Sequence, residues 1–159
     1  MRKAVLLLAG LAILAFVNLG IYQRERLLTD GRIVLLRLSP VDPRSLMQGD
    51  YMRLNFEVAD QAFPAVASTP KADGHIVVLV DSGGIARFRR FSDGRPLAPG
   101  EIALRYRVRA GRPNFATDAY FFEEGRADRY AGAAYGEFRV GGDGDMILTG
   151  LRGPRLEPL

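Results

Sequence analysis

Few side chains in this sequence have the types and spacing for acid, base, nucleophile or metal chemistry. His75 is the only histidine and there is no cysteine, so histidine-assisted proton transfer would run through one residue. Thiolate nucleophiles, disulfides and thiolate metal sites are excluded. His75 follows Asp73-Gly74 at the edge of an apolar run, where an imidazole reads as solvated or structural. Ser45 has the most suggestive serine context, but a serine needs a base, and the only lysine beyond Lys3 is Lys71, in a Pro/Ala stretch with nothing to desolvate its amine. Glu123-Glu124 with Asp128 or Glu137 are the residue types of a paired-carboxylate hydrolase, whose spacing in space the sequence does not give. Asp143-Gly144-Asp145 begins like a calcium loop but lacks the later acidic positions and terminal glutamate, so it reads as a hairpin turn. No catalytic constellation, cofactor or metal is therefore expected.

The densest chemistry is cationic. Residues 85 to 112 carry eight arginines against Asp93 and Glu101, a net of +6, whereas residues 113 to 159 hold five basic and eight acidic residues, a net of −3. If the strands carrying Arg87 and Arg105 pair, then Arg87, Arg89, Arg105, Arg107 and Arg109 form a guanidinium ladder, an interaction face for phospholipid headgroups or an acidic partner. The competing reading is a solvated face neutralised by the acidic C-terminal part. The overall +4 does not indicate nucleic acid: residues 1 to 26 hold four basic residues and one acidic residue, leaving 18 and 17 in the remainder.

Something must position these residues. Ala4 to Tyr22 is 19 residues without a charge, long enough as a helix to cover about 28 Å at roughly 1.5 Å per residue. Arg2 and Lys3 precede it; Arg24 and Arg26 follow. No small-residue cleavage site lies near its end, so the run reads as an uncleaved anchor rather than a signal peptide. Two domains of organisation follow: a transmembrane anchor at 1–26 and a β-rich domain at 27–159. The short cationic N-terminus favours retention in the cytoplasm, which puts the C-terminal domain outside the cytoplasmic membrane, in the periplasm of a Gram-negative cell.

The rest of the chain reads as short strands separated by turns. Ile33 to Leu38 is an apolar run, stopped by Pro40 and Pro43. From Asp42-Pro43 the chain reaches the turn dipeptide Gly49-Asp50, then Tyr51 to Val58, with Met52, Leu54, Phe56 and Val58 alternating with polar residues as one buried face of a strand. Residues 59 to 74 read as loop. His75–Asp81 and Ile85–Phe91 flank Ser82-Gly83-Gly84, and Tyr135–Val140 and Asp145–Leu151 flank Gly141 to Gly144: two hairpins. Glu101–Arg109 alternates cleanly, Ala119–Phe122 is a short strand, and residues 126 to 134 form a short helix. No internal repeat emerges. The expected fold is mainly β: an antiparallel barrel or sandwich of about eight short strands with one short helix.

Gly49-Asp50-Tyr51, Leu54 and an aromatic at Phe56 resemble the motif of the GDYXXLXY family of uncharacterised bacterial membrane-anchored proteins, with Phe56 in place of the final tyrosine. Asp42, Pro43 and Ser45 upstream, and Tyr135, Gly136 and Glu137 downstream, extend the resemblance over most of residues 40 to 152. Since Phe56 lies on the apolar face, its aromatic character reads as core. Membership implies an anchored envelope domain of unestablished activity, in a family often encoded beside multi-pass membrane proteins, and so a non-enzymatic accessory or interaction subunit of a membrane complex. Pro43, Ser45, Leu46 and Gly49-Asp50 are also partly similar to membrane-anchored signal peptidases. Their nucleophile position, upstream of the proline, is here Pro40 or Val41, which leaves a signal-peptidase-like or other envelope hydrolase as the alternative.

Overall fold

The computed structural model describes residues 2–39, 51–64, 72–109 and 112–159. The sequence motif residues Asp42, Pro43, Ser45, Gly49 and Asp50, and also Lys71, lie outside them. A single long helix, α1 (Arg2–Asp30), leads into β1 (Arg32–Arg37). There follow β2 (Tyr51–Arg53), α2 (Glu57–Ala62), β3 (Gly74–Val80), β4 (Ala86–Phe91), β5 (Glu101–Arg109), β6 (Arg112–Asn114), β7 (Ala119–Phe121), α3 (Ala127–Tyr130), β8 (Tyr135–Val140) and β9 (Met146–Arg152).

The domain is mainly β. Its strands form three antiparallel sheets, β1-β8-β9, β2-β7 and β4-β3-β5-β6, with no closed barrel among the described residues. The two larger sheets contribute to one core, Val34, Leu36, Phe138 and Val140 from the first and Ile76, Val78, Ile102 and Leu104 from the second, a sandwich-like arrangement. Burying about 25 cal/mol per Å² of such apolar surface is the main term that holds the sheets together, since the chain has no disulfide.

Two expectations need correction. The strand expected over Tyr51–Val58 ends at Arg53, and Glu57–Ala62 is helical where a strand end and a loop were anticipated. The burial alternation nevertheless runs through the change: Met52, Leu54, Phe56 and Val58 are all at most 4% exposed. Val58 and Ala62, one helical turn apart, are the buried pair of α2, and the Gln61 amide donates to Glu57 Oε1 at 2.8 Å on its outer side. The short helix α3 is thus accompanied by a second. The helix α1 also runs on to Asp30, four residues past the anchor end expected at residue 26.

Both expected hairpins form, and they match register for register. In each, the ladder shifts by one residue three positions before the turn, between Val77 and Val78 in one and Glu137 and Phe138 in the other. Each turn then closes with the same pair of bonds, Gly84 N to Asp81 O and Asp81 N to Ile85 O in one, Gly144 N to Gly141 O and Gly141 N to Asp145 O in the other. Gly84 and Gly144 take φ of +82° and +81°, the left-handed conformation that favours glycine.

Each turn fastens onto the opposite sheet. The Leu35 amide of β1 donates to Gly84 O at 2.8 Å, and the Arg105 amide of β5 donates to Gly144 O at 2.9 Å. Elsewhere, Gln61 Oε1 of α2 accepts from the Phe88 amide of β4, and the C-terminal Leu159 amide donates to Leu151 O of β9.

Candidate functional site

The motif residues that the structure describes are part of the core and its supports. Leu54 is 2% exposed, and its amide donates to Asp118 O at 2.8 Å. Phe56 lies against Phe138 and forms a bridge to Leu38 of the β1 end. Tyr51 is half-buried and stacks, tilted, on Phe121 across the β2-β7 pair. The Tyr135 hydroxyl accepts from Arg37 Nη2 at 2.9 Å, and the Arg37 guanidinium lies over its ring. Gly136 faces Phe56 and Phe138, and Glu137 is bonded by Arg152 and by the Thr149 hydroxyl. The two ends of the motif, far apart in sequence, thus meet at Phe56 and Gly136.

Two of the carboxylates singled out in the sequence are held by arginines. Glu123, in the loop after β7, is held by Arg126 at 3.4 Å, while Glu137 of β8 is held by Arg152 of β9. No group of three metal-ligating side chains occurs among the described residues. His75 Nε2 lies 3.1 Å from Asp143 O, so the imidazole is a fastener for the β8-β9 turn.

The arginine ladder is not built as anticipated, because β4 and β5 do not pair: β3 lies between them. Arg87 is opposite Leu79 and Arg105 opposite His75, four residues along β3, or about 13 Å at 3.3 Å per residue. Arg89 occupies the extra position of the β4 bulge. Arg90 is neutralised locally by Asp93 at 2.8 Å and Glu101 at 3.2 Å. The Ala98 amide, ahead of the Arg90 guanidinium, holds the Glu101 carboxyl below its ordinary range despite the desolvation that opposes it.

Arg105, Arg107 and Arg109 are a separate group. Alternate residues of a strand share a face, and these three line one cleft of about 290 Å³. Asn114 and Asp145 complete it, together with Arg24 from α1. Asp145 pairs with Arg105 at 3.2 Å, among the described residues the one ion pair that joins the basic and acidic parts of the chain. Arg24 was visible in sequence only as a flanking cation; nothing local signals that it meets a strand more than 80 residues later.

The profile of the GDYXXLXY protein family matches residues 13–151, from within α1 to β9. The chain belongs to the GDYXXLXY family. No curated protein and no solved structure matches it. In this GDYXXLXY protein the matched span takes in both the fastened core around Phe56 and Gly136 and the arginine cleft.

Proposed function

We propose that this GDYXXLXY protein is a single-pass, membrane-anchored envelope domain that serves as a non-enzymatic accessory or interaction subunit of a membrane protein complex, with its C-terminal domain outside the cytoplasm. One observation carries the reading: the hand-off from helix to domain is short and hydrogen-bonded on both sides. α1 is long and apolar enough to cross a membrane, and the apolar window of its candidate span is not buried by the rest of the protein. At about 1.5 Å per residue its 29 residues extend about 43 Å, enough for the hydrocarbon core and a headgroup layer. Only Gly31 separates it from β1. The Gly31 amide donates to Leu27 O at 3.0 Å, and its carbonyl accepts from Arg139 Nη1 of β8 at 3.0 Å.

A domain joined through one residue stays close to the end of α1, which suits docking to a membrane neighbour such as a multi-pass protein. The test is co-purification of the tagged full chain from detergent-solubilised membranes, beside a variant whose α1 apolar run is replaced by an unrelated one. A specific partner retained by the native chain supports the proposal. Absence of any specific partner from both would remove it.

A further inference from the structure

The arginine cleft lies at a defined height along α1. The apolar run ends at Tyr22, and Arg24 follows two residues, or about 3 Å, further along the axis. That is where the headgroup layer begins for a helix that spans the hydrocarbon core. Arg24 therefore brings the mouth of the cleft, with Arg105, Arg107 and Arg109, to the level of lipid phosphates. Its charged lining is four guanidinium groups against the Asp145 carboxylate, which Arg105 engages. Among the described residues no carboxylate lies within 4.0 Å of Arg24, Arg107 or Arg109.

A second hollow, of about 420 Å³, shares Arg24, Ala116 and Met146 with the first and ends at Phe121. Phe121 is 75% exposed, an aromatic of the kind that settles at a membrane interface. A cationic cleft adjoining a hollow of mixed polar and apolar lining, with Phe121, Met146, Ile147 and Leu148 on its wall and the same helix-end arginine at its border, matches a phosphate on one side and a glycerol-acyl region on the other.

We propose that this cleft binds the headgroup phosphate of an anionic phospholipid, resting on the reading of α1 as a membrane anchor. Arg107 and Arg109 engage the phosphate oxygens, Arg24 closes the site from above, and Phe121 lies along the acyl side. Guanidinium forks suit phosphate oxygens geometrically as well as by charge. A zwitterionic choline lipid would bring a cation among four guanidinium groups, so selection favours a lipid with net negative charge.

The test uses the full chain in nanodiscs of phosphatidylcholine mixed with phosphatidylglycerol. Phospholipid retained on the protein after detergent exchange is counted by native mass spectrometry. Phosphatidylglycerol should be enriched over its bulk share, and enrichment should weaken with salt. Since a basic residue near an anionic surface contributes about fivefold in affinity, Arg107→Gln with Arg109→Gln should lower retention by about twenty-five-fold. Arg87→Gln, on the far side of β3, should leave it unchanged. Equal retention of the two lipids, or no loss in the double variant, would overturn the proposal. So would displacement of the lipid by inorganic phosphate but not by chloride at the same ionic strength, which would make this a free-anion site. If the double variant instead sheds a protein partner while lipid retention stays unselective, the cleft takes an acidic protein segment and the lipid reading fails. Alkaline carbonate extraction separates the two layers of inference: a chain stripped from the membrane refutes the anchor, and the lipid site with it, whereas a retained chain without lipid selectivity refutes the cleft alone.

Discussion

Phe56 packs edge-on against Phe138, with ring centroids 5.4 Å apart and planes at 71°, and both rings close over Gly136. A Cβ on Gly136 would lie 3.0 Å from Phe138 Cε2, 3.2 Å from Phe56 Cε1 and 3.3 Å from Leu148 Cδ1. Gly136→Ala should therefore overpack the core and cost about 1 to 3 kcal/mol. Phe56→Leu in the same chain should recover part of that loss, giving a non-additive cycle. Thermal melts of the full chain in detergent check it; an unchanged melting temperature for Gly136→Ala would mean that the site can relax freely.

Leu54 and Arg53 are neighbours with opposite surroundings. Leu54 is 2% exposed and Arg53 is on the surface. Leu54→Ala should destabilise by about 2 to 5 kcal/mol through lost packing and a residual cavity. Arg53→Ala should change stability by less than about 0.5 kcal/mol. Comparable losses in denaturant titrations would mean that both faces of this segment are engaged.

This segment also shows what a single sequence reveals. Glycine-marked hairpins and the alternation of β5 were legible because turn chemistry and side-chain period are local. The end of β2 was not. Met52 to Val58 fits a period of two whether the chain stays extended or turns into a helix at Glu57, since Val58 faces the core in both. The match between the hairpins was invisible for another reason: of the residues from Val78 to Phe88 and from Phe138 to Leu148, only Val80/Val140 and Gly84/Gly144 coincide. Backbone geometry demands the glycine and leaves most other positions free. As for the cleft, the arginines of β5 were apparent, while β3 lying between β4 and β5, and the arrival of Arg24, depend on contacts across the whole chain.

Alkaline pH should weaken the fold. Burial, ahead of the Asp73 charge, raises the Tyr106 pKa, and burial, ahead of the bond with Tyr130, raises that of Tyr120. The folded state thus favours the neutral phenols. Their contribution is complete below the unfolded value of about 10 and is lost as pH rises through the higher folded values. Denaturation midpoints should fall on that side of about pH 10, and Tyr106→Phe with Tyr120→Phe should flatten the decline. A parent profile as flat as the variant's would contradict this.

Topology has a direct readout. An alkaline phosphatase fused after Leu159 should be active and a cytoplasm-dependent reporter at the same place dark. The reverse pattern would turn the arginine cleft towards the cytoplasmic leaflet.

Ser45→Ala distinguishes an interaction subunit from an envelope hydrolase. Full retention of the cellular phenotype is expected. Its abolition, with the protein still present and folded, would favour hydrolysis.

The fastening of each hairpin turn onto the other sheet bears on how this protein can recruit anything at all. Open sheet edges invite a partner to add a strand, or copies of the same chain to stack without limit. Here Gly84 occupies the Leu35 amide, Gly144 the Arg105 amide, Gln61 the Phe88 amide, and the C-terminal segment bonds back to Leu151. At those positions an incoming strand finds its hydrogen-bonding groups already engaged. At those positions recognition falls to side chains, which makes it sensitive to single substitutions and to ionic strength, and strand addition there, by a partner or by another copy concentrated in the plane of a membrane, would first have to break these bonds.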